Sequence, residues 1–306
     1  MAGGVVRTLR RRIRTVEATK KITRAFELIA ASQIIRAQNR IAANRPYREA
    51  VARVVREAAK GDPAAAGLMG TPEHPRKVAV ALIVGDRGLS GPYNANVFRA
   101  AESLLAEQRE GGAEVQLVTV GRRAIAYFRF RGRETAESFS GMADRPAFGD
   151  ARQVAGSLWH LFRTGEVELV QLVSTRYESA GHQRVEVTQL LPLPEPAAKG
   201  AGEPGSPGPS DETARSGYTE FEPDVASLLA QLMPRSVEAE LFAALLEASA
   251  SEHAARQRAM AAATDNAEEL VRTLTRTMNQ ARQDAITNEI MEIVGGAEAL
   301  REAKGA

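Results

Sequence analysis

VEAELFAALLEASASEHAARQRAMAAATDNAEELVRTLTRTMNQARQDAITNEIMEIV, residues 237–294, contains neither proline nor glycine. Without a residue that removes a backbone donor or loosens the chain, it reads as one helix. At about 1.5 Å per residue it would run roughly 85–90 Å, longer than a domain of this size can enclose. It must pair with another helix, project into a partner, or do both. Ala244, Ala248, Ala255, Ala259 and Ala262 predict an inner stripe of small side chains that permits close approach. Ahead of it, Pro223 suits a helix start, and Pro234 predicts a break or kink with Ser236 as N-cap.

The mate for this rod lies at the other end of the chain. Leu9, Ile13 and Val16, then Ile22, Phe26 and Ile29, then Ala30, Ile34, Ala37 and Ile41 fall three or four apart, a helical stripe. Pro46 predicts a kink or division, and Gly61-Asp62-Pro63 a stop. Residues 1–60 hold fifteen Lys or Arg against four Glu, whereas residues 236–306 hold twelve acids against seven bases. Opposite balances predict that the two ends attract each other, or that a basic arm faces an acidic partner. The expected result is a long antiparallel coiled coil with the middle of the chain inserted between its arms.

In that middle the hydrophobic period changes. Lys77–Val84, Glu114–Val120, Val167–Thr175 and Val185–Leu191 read as strands, the last antiparallel to the one before it. Between them Asn94–Gln108, Arg122–Phe130 and Arg152–Arg163 read as helices. This alternation predicts an α/β layer on a small, largely parallel sheet. Residues 192–217, with six prolines and five glycines, cannot bury enough apolar surface to offset their ordering entropy and read as a flexible loop. The resulting division is 1–75, an N-terminal coiled-coil helix; 76–191, the α/β domain; 192–217, the loop; and 218–306, the C-terminal coiled-coil helix.

The 306 residues include no cysteine, which excludes disulfides and thiol chemistry. The longest apolar run, Val78–Val84, is too short to span a bilayer. His74, His160, His182 and His253 are scattered and lack the spacing of a helical metal pair, so no metal, catalytic group or cofactor is assigned. Gly85-Asp86-Arg87-Gly88-Leu89-Ser90-Gly91 follows a strand and precedes a helix, where α/β folds bind phosphate. A structural turn is the favoured reading, with glycines supplying positive φ and Asp86 and Asn94 bonding locally; an α/β nucleotide-binding enzyme is one alternative. The arginines and lysines of residues 7–24 could neutralise phosphates, and a coiled-coil adaptor or nucleic-acid scaffold is the other. That segment lacks interleaved aromatics for base stacking.

Ala18-Thr19-Lys20-Lys21-Ile22-Thr23-Arg24-Ala25 with Leu28-Ile29-Ala30-Ala31-Ser32, the 85–94 turn, and Ala250-Ser251-Glu252 through Glu292-Ile293-Val294-Gly295-Gly296-Ala297 together resemble the gamma subunit family of rotary ATP synthases. Arg256, Asp265-Asn266-Ala267, Asn279 and Ala281-Arg282-Gln283 carry the strongest part of the likeness. The resemblance implies an inserted Rossmann-like α/β domain on a coiled coil whose tip enters a hexamer of alpha and beta subunits. It implies further partners in the epsilon subunit and the c-ring, no nucleic acid and no small-molecule substrate of its own. The chain would then be a non-catalytic rotor, peripheral to the cytoplasmic face of the cell membrane, coupling ion-driven rotation to conformational cycling of the beta subunits.

Carried over by position, Arg282 and Gln283, with Thr287 and Glu289 beside them and Arg10 and Arg12 on the opposite helix, would grip a beta-subunit loop. Ile286, Ile290, Ile293 and Val294 would lie in an apolar bearing, and Phe26 and Arg24 beside the acidic beta lever. Phe26 stands where methionine is common in the family, and Ser90 where many members have cysteine.

Overall fold

A computed structural model describes residues 2–59, 70, 72–194 and 225–305. The Gly61-Asp62-Pro63 stop, Pro223 and positions 195–217 of the proposed loop lie outside the described residues. The elements in chain order are α1 (Ala2–Ala59), β1 (Lys77–Ile83), α2 (Tyr93–Glu110), β2 (Glu114–Val120) and α3 (Arg122–Phe130). They continue as β3 (Glu137–Phe139), α4 (Phe148–Arg163), β4 (Leu169–Tyr177), β5 (Gln183–Leu191) and α5 (Val225–Gly305). Two compact units result, Met1–Ala31 with Arg256–Ala306, and Ser32–Ala255.

In the larger unit the sheet order is β3-β2-β1-β4-β5. β1 pairs parallel with β2 and β4, β2 parallel with β3, and β4 antiparallel with β5. β1 is buried on both faces because successive side chains point to opposite sides and both sides are covered. Val78, Val80 and Leu82 pack with Val97, Leu105 and Phe128 of α2 and α3. Ala79, Ala81 and Ile83 pack with Val154 and Leu158 of α4 and with Leu241 and Leu245 of α5. The first half of α5 is therefore a layer of this domain.

Several expectations about helix ends are corrected. α1 runs through Pro46 and α5 through Pro234 without division. Each proline removes one backbone bond, to the carbonyls of Ala42 and Ala230, and both of those residues are exposed to water that can take the freed acceptor. Ser236 is consequently no N-cap but a buried residue inside α5. α4 starts at Phe148, ahead of the expected Arg152, because the Asp150 carboxylate accepts the Ala147 N–H at 2.7 Å. The three-residue β3 was not expected; it is too short to show alternation.

The smaller unit is an antiparallel helix pair. Lys20 Nζ donates to Glu268 Oε2 at 2.9 Å, and Thr23 Oγ1 lies 2.8 Å from Thr264 Oγ1. Residue numbers rise along one helix as they fall along the other. Fully or partly buried positions recur at 3–4 spacing, Val6, Leu9, Ile13, Val16, Lys20, Thr23, Glu27 and Ala30 on α1, and Met260, Thr264, Ala267, Val271, Leu274, Met278 and Ala281 on α5. This seven-residue repeat is the coiled-coil seam. It corrects the expected stripe: Ile22, Phe26 and Ile29 lie outside the seam and are exposed, while Lys20, Thr23 and Glu27 occupy it. Of the five alanines expected to face inward on α5, Ala262 is exposed.

Candidate functional site

The residues assigned to a partner-gripping tip sit in the smaller unit. From Ile286 through Ala297 every residue of α5 is exposed, including Ile286, Ile290, Met291, Ile293 and Val294, the last four each more than half exposed. At about 100° of rotation per residue, Arg282, Gln283, Ile286, Thr287, Glu289, Ile290, Ile293 and Val294 occupy one sector of roughly 160°. Arg282 and Gln283 stand at the near end of that sector and Ile293 and Val294 at the far end, with Ile286, Thr287, Glu289 and Ile290 interleaved between them. Met291 projects outside it and was not singled out by sequence, which offers only its apolar character as a signal.

On α1, Arg10 and Arg12 are exposed. The register set by Thr23 and Thr264 puts them about one to two turns from Arg282 along the pair. Arg7, Arg10, Arg11, Arg12 and Arg14 form no ion pair among the described residues, whereas Lys20 pairs with Glu268. Lys20 and Arg272 together hold the Glu268 carboxyl below its usual range. The attraction between the ends is thus local, and the arginines of the first turns keep their charge for the outside. Arg24 Nη1 binds both carboxylate oxygens of Glu27, at 2.8 and 2.9 Å, beside the exposed Phe26. Ile22, Phe26 and Ile29, at helical spacing, make a second exposed apolar stripe; Leu28 and Ile35 add to the apolar surface and escaped the sequence reading.

The 85–94 turn is built for structure. Gly85 N–H donates to Asn94 Oδ1 at 2.9 Å, as the local reading requires. Asp86, by contrast, bonds at long range. Its carboxylate accepts the N–H groups of Arg122 and Gly141 at 3.0 Å and of Ala143 at 3.1 Å. Asp86 thus ties the start of α3 and the segment after β3 to the turn, while at the start of α2, the helix the turn leads into, Pro92 has no N–H and the Tyr93 N–H donates to the Ser90 carbonyl at 3.2 Å. The glycines also differ from expectation. Gly91 has φ 55°, but the other positive φ in the turn belongs to Leu89, at 64°. Gly85 is needed for space, since a Cβ there would stand 2.6 Å from the Glu252 carboxylate.

The four histidines are not brought together. His253 is buried with Nε2 3.2 Å from the Asp144 carbonyl, and His182 lies 3.5 Å from Glu178. Among the described residues no group of three or more His, Cys, Asp or Glu could hold a metal ion. Among them, too, no helix is long and apolar enough to cross a membrane.

Comparison with known proteins extends these observations. The ATP synthase family model matches residues 5–300. An ATP synthase gamma chain from Parafrankia sp. (strain EAN1pec) is 47% identical over 301 residues, covering 97% of this chain and 98% of that one. That of Acidothermus cellulolyticus is 45% identical over 303 residues, with coverage of 97% and 98%. Among solved structures, a chain of the Euglena gracilis mitochondrial ATP synthase OSCP/F1/c-ring assembly aligns with a TM-score of 0.66 at 18% identity. That alignment covers 99% of this chain and 97% of its counterpart, and it supports the same fold.

Proposed function

The chain belongs to the ATP synthase gamma-chain family, and we propose that it works as the non-catalytic central rotor of such a complex, with the α5 tip as its engaging surface. The observation that carries this reading is the run from Ile286 to Ala297, exposed throughout and rich in aliphatic side chains. Such a patch is unfavourable in water and marks a surface made to be covered. The socket is a hexamer of alpha and beta subunits. Arg282 and Gln283 supply donors at the near end of the sector, Thr287 and Glu289 add polar contacts, and the aliphatic residues beyond them slide within an apolar sleeve.

A bearing of this kind does its work by position. The helix pair presents different residues around its circumference: the Ile22, Phe26 and Ile29 stripe with Arg24 beside it, and the arginines near the start of α1. Each beta subunit meets a different side of the shaft, and rotation changes which conformation that contact favours. A shaft can shift such an equilibrium only through differential contact free energy between the two states. Its asymmetry is therefore the coupling device, and the chemistry stays in the beta subunits. The torque enters through the α/β unit, which rests on the epsilon subunit and the c-ring at the cytoplasmic face of the cell membrane.

Co-purification tests this reading. The native chain should come down with alpha and beta ATPase subunits in a complex that survives gel filtration. Recovery of the chain without them, from cells that express all of the subunits, would contradict it.

A further inference from the structure

Where α1, the segment after β3 and α5 meet, all within the larger unit, lies a cleft of about 150 Å³. That is about five waters' share of liquid volume. It is well below the several hundred Å³ of sites for larger organic ligands. Gln33, Arg36 and Arg40, spaced three and four apart, put three polar side chains of α1 on one wall. Asp144 and Arg145 form the second wall, and Ser249 and His253 of α5 form the third.

The second wall is held in place through its carbonyls. Ser249 Oγ donates to the Asp144 carbonyl at 3.0 Å, and His253 Nε2 lies 3.2 Å from the same oxygen. Arg40 Nη2 donates to the Pro146 carbonyl. The Arg36 and Arg145 side chains, both exposed, form no hydrogen bond or ion pair among the described residues. Among those residues the Asp144 carboxylate accepts no hydrogen bond either. Arg87 Nη1 and His253 Nε2 each stand 3.9 Å from it, beyond hydrogen-bond reach. Two free guanidiniums and one carboxylate with open acceptor positions therefore line the same cleft.

We propose that this cleft binds inorganic phosphate, its bare oxygens on Arg36 and Arg145 and its O–H donated to the Asp144 carboxylate. Three arginines against one carboxylate select an anion, and guanidinium forks match the spacing of its oxygens. The carboxylate decides which anion. It repels an oxyanion without a proton and accepts a hydrogen bond from one that keeps a proton. At about pH 8 inorganic phosphate still carries an O–H, whereas a phosphate monoester, with its last pKa near about 6, has lost its own. Sulfate carries none. The site uses no residue of the tip and does not rest on the rotor reading.

The test is calorimetric titration of the full chain at that pH and constant ionic strength, with inorganic phosphate, sulfate and glycerol phosphate. Phosphate should bind once per chain, about tenfold or more tightly than either contrast. Arg36→Gln with Arg145→Gln should weaken phosphate about tenfold or more through loss of charge-assisted contacts. Asp144→Asn, whose amide can donate where the carboxylate only accepts, should admit sulfate and bring the two affinities together. Far-UV circular dichroism confirms that each variant keeps its helix content, and if the double-arginine variant does not fold, Asp144→Asn decides alone. Absence of saturable phosphate binding, or sulfate or glycerol phosphate bound as tightly as phosphate, would overturn the proposal. So would unchanged phosphate affinity in the folded double-arginine variant, or a phosphate preference retained in Asp144→Asn. Co-purification with alpha and beta subunits is read separately, so failure here leaves the rotor reading untouched.

Discussion

Thr23 Oγ1 and Thr264 Oγ1 lie 2.8 Å apart across the coiled-coil seam, and each also contacts a carbonyl of its own helix, Lys20 at 3.0 Å and Met260 at 2.8 Å. Two hydroxyls carry two protons for three contacts, so one keeps its backbone bond and accepts while the other donates across. A buried polar pair in the seam favours one register over its slipped alternatives.

Replacing either threonine alone should destabilise the helix pair by roughly 0.5–1.5 kcal/mol, because the remaining hydroxyl loses a partner. The double Thr23→Val, Thr264→Val chain should lose less than the sum of the singles, since no hydroxyl is then left without its partner across the seam. Thermal unfolding of the four chains measures the coupling; additive losses would show that the hydroxyls act independently.

Asp86→Ala should destabilise the α/β unit by roughly 3 kcal/mol or more, because it leaves the Arg122, Gly141 and Ala143 amides without their shared acceptor. Denaturant titration checks the loss. Titration of the wild-type chain with ATP should show no binding at this turn, since at the start of α2 Pro92 offers no N–H and the Tyr93 N–H is held by the Ser90 carbonyl.

Glu247 gives a pH signature. Burial raises its carboxyl above the ordinary value, outweighing Arg48, Arg176 and the Tyr177 amide. The folded state then holds a proton that the unfolded state releases, so this group's contribution falls as pH rises from the ordinary carboxylate value through the raised one. Above that window its ionised form is a standing cost. Glu247→Gln, which mimics the protonated side chain, should raise the midpoint of thermal unfolding at neutral pH, with the advantage vanishing below the ordinary carboxylate range. An unchanged midpoint at neutral pH would contradict this assignment.

Ile290→Glu with Ile293→Glu should leave the stability of the isolated chain within about 0.5 kcal/mol, since both side chains are already in water. In the assembled complex the same pair should lower ATP turnover coupled to rotation. Arg282→Ala with Gln283→Ala should do likewise without unfolding the chain. Unchanged coupled turnover would remove these residues from the grip.

The two helices, the four longer strands and the sheet's mixed polarity were legible because each rests on a period that local sequence displays. What failed to show were effects of partners across the fold. Pro46 and Pro234 read as kinks or breaks, and the helices continue through both, because sequence does not reveal that the residues whose carbonyls are freed lie on exposed faces. Ile22, Phe26 and Ile29 looked inward because their spacing is helical, yet the seam selects the neighbouring face with Lys20, Thr23 and Glu27. Hydrophobicity alone cannot distinguish a face buried in the same chain from one kept for another. Asp86 was expected to bond within its own turn, but its partners at Arg122, Gly141 and Ala143 are brought to it only by folding. The tip residues came from family likeness, and the structure adds that they share one exposed sector.

Rotation itself is the direct test. The chain has no cysteine, so Val187→Cys, 45% exposed on β5, supplies the only thiol on this chain. A bead attached there, in a complex immobilised through its other subunits with their own reactive thiols removed, should turn stepwise in one direction while ATP is hydrolysed. Sustained hydrolysis with a bead that only fluctuates about a fixed angle would contradict the assignment of this chain as the rotor.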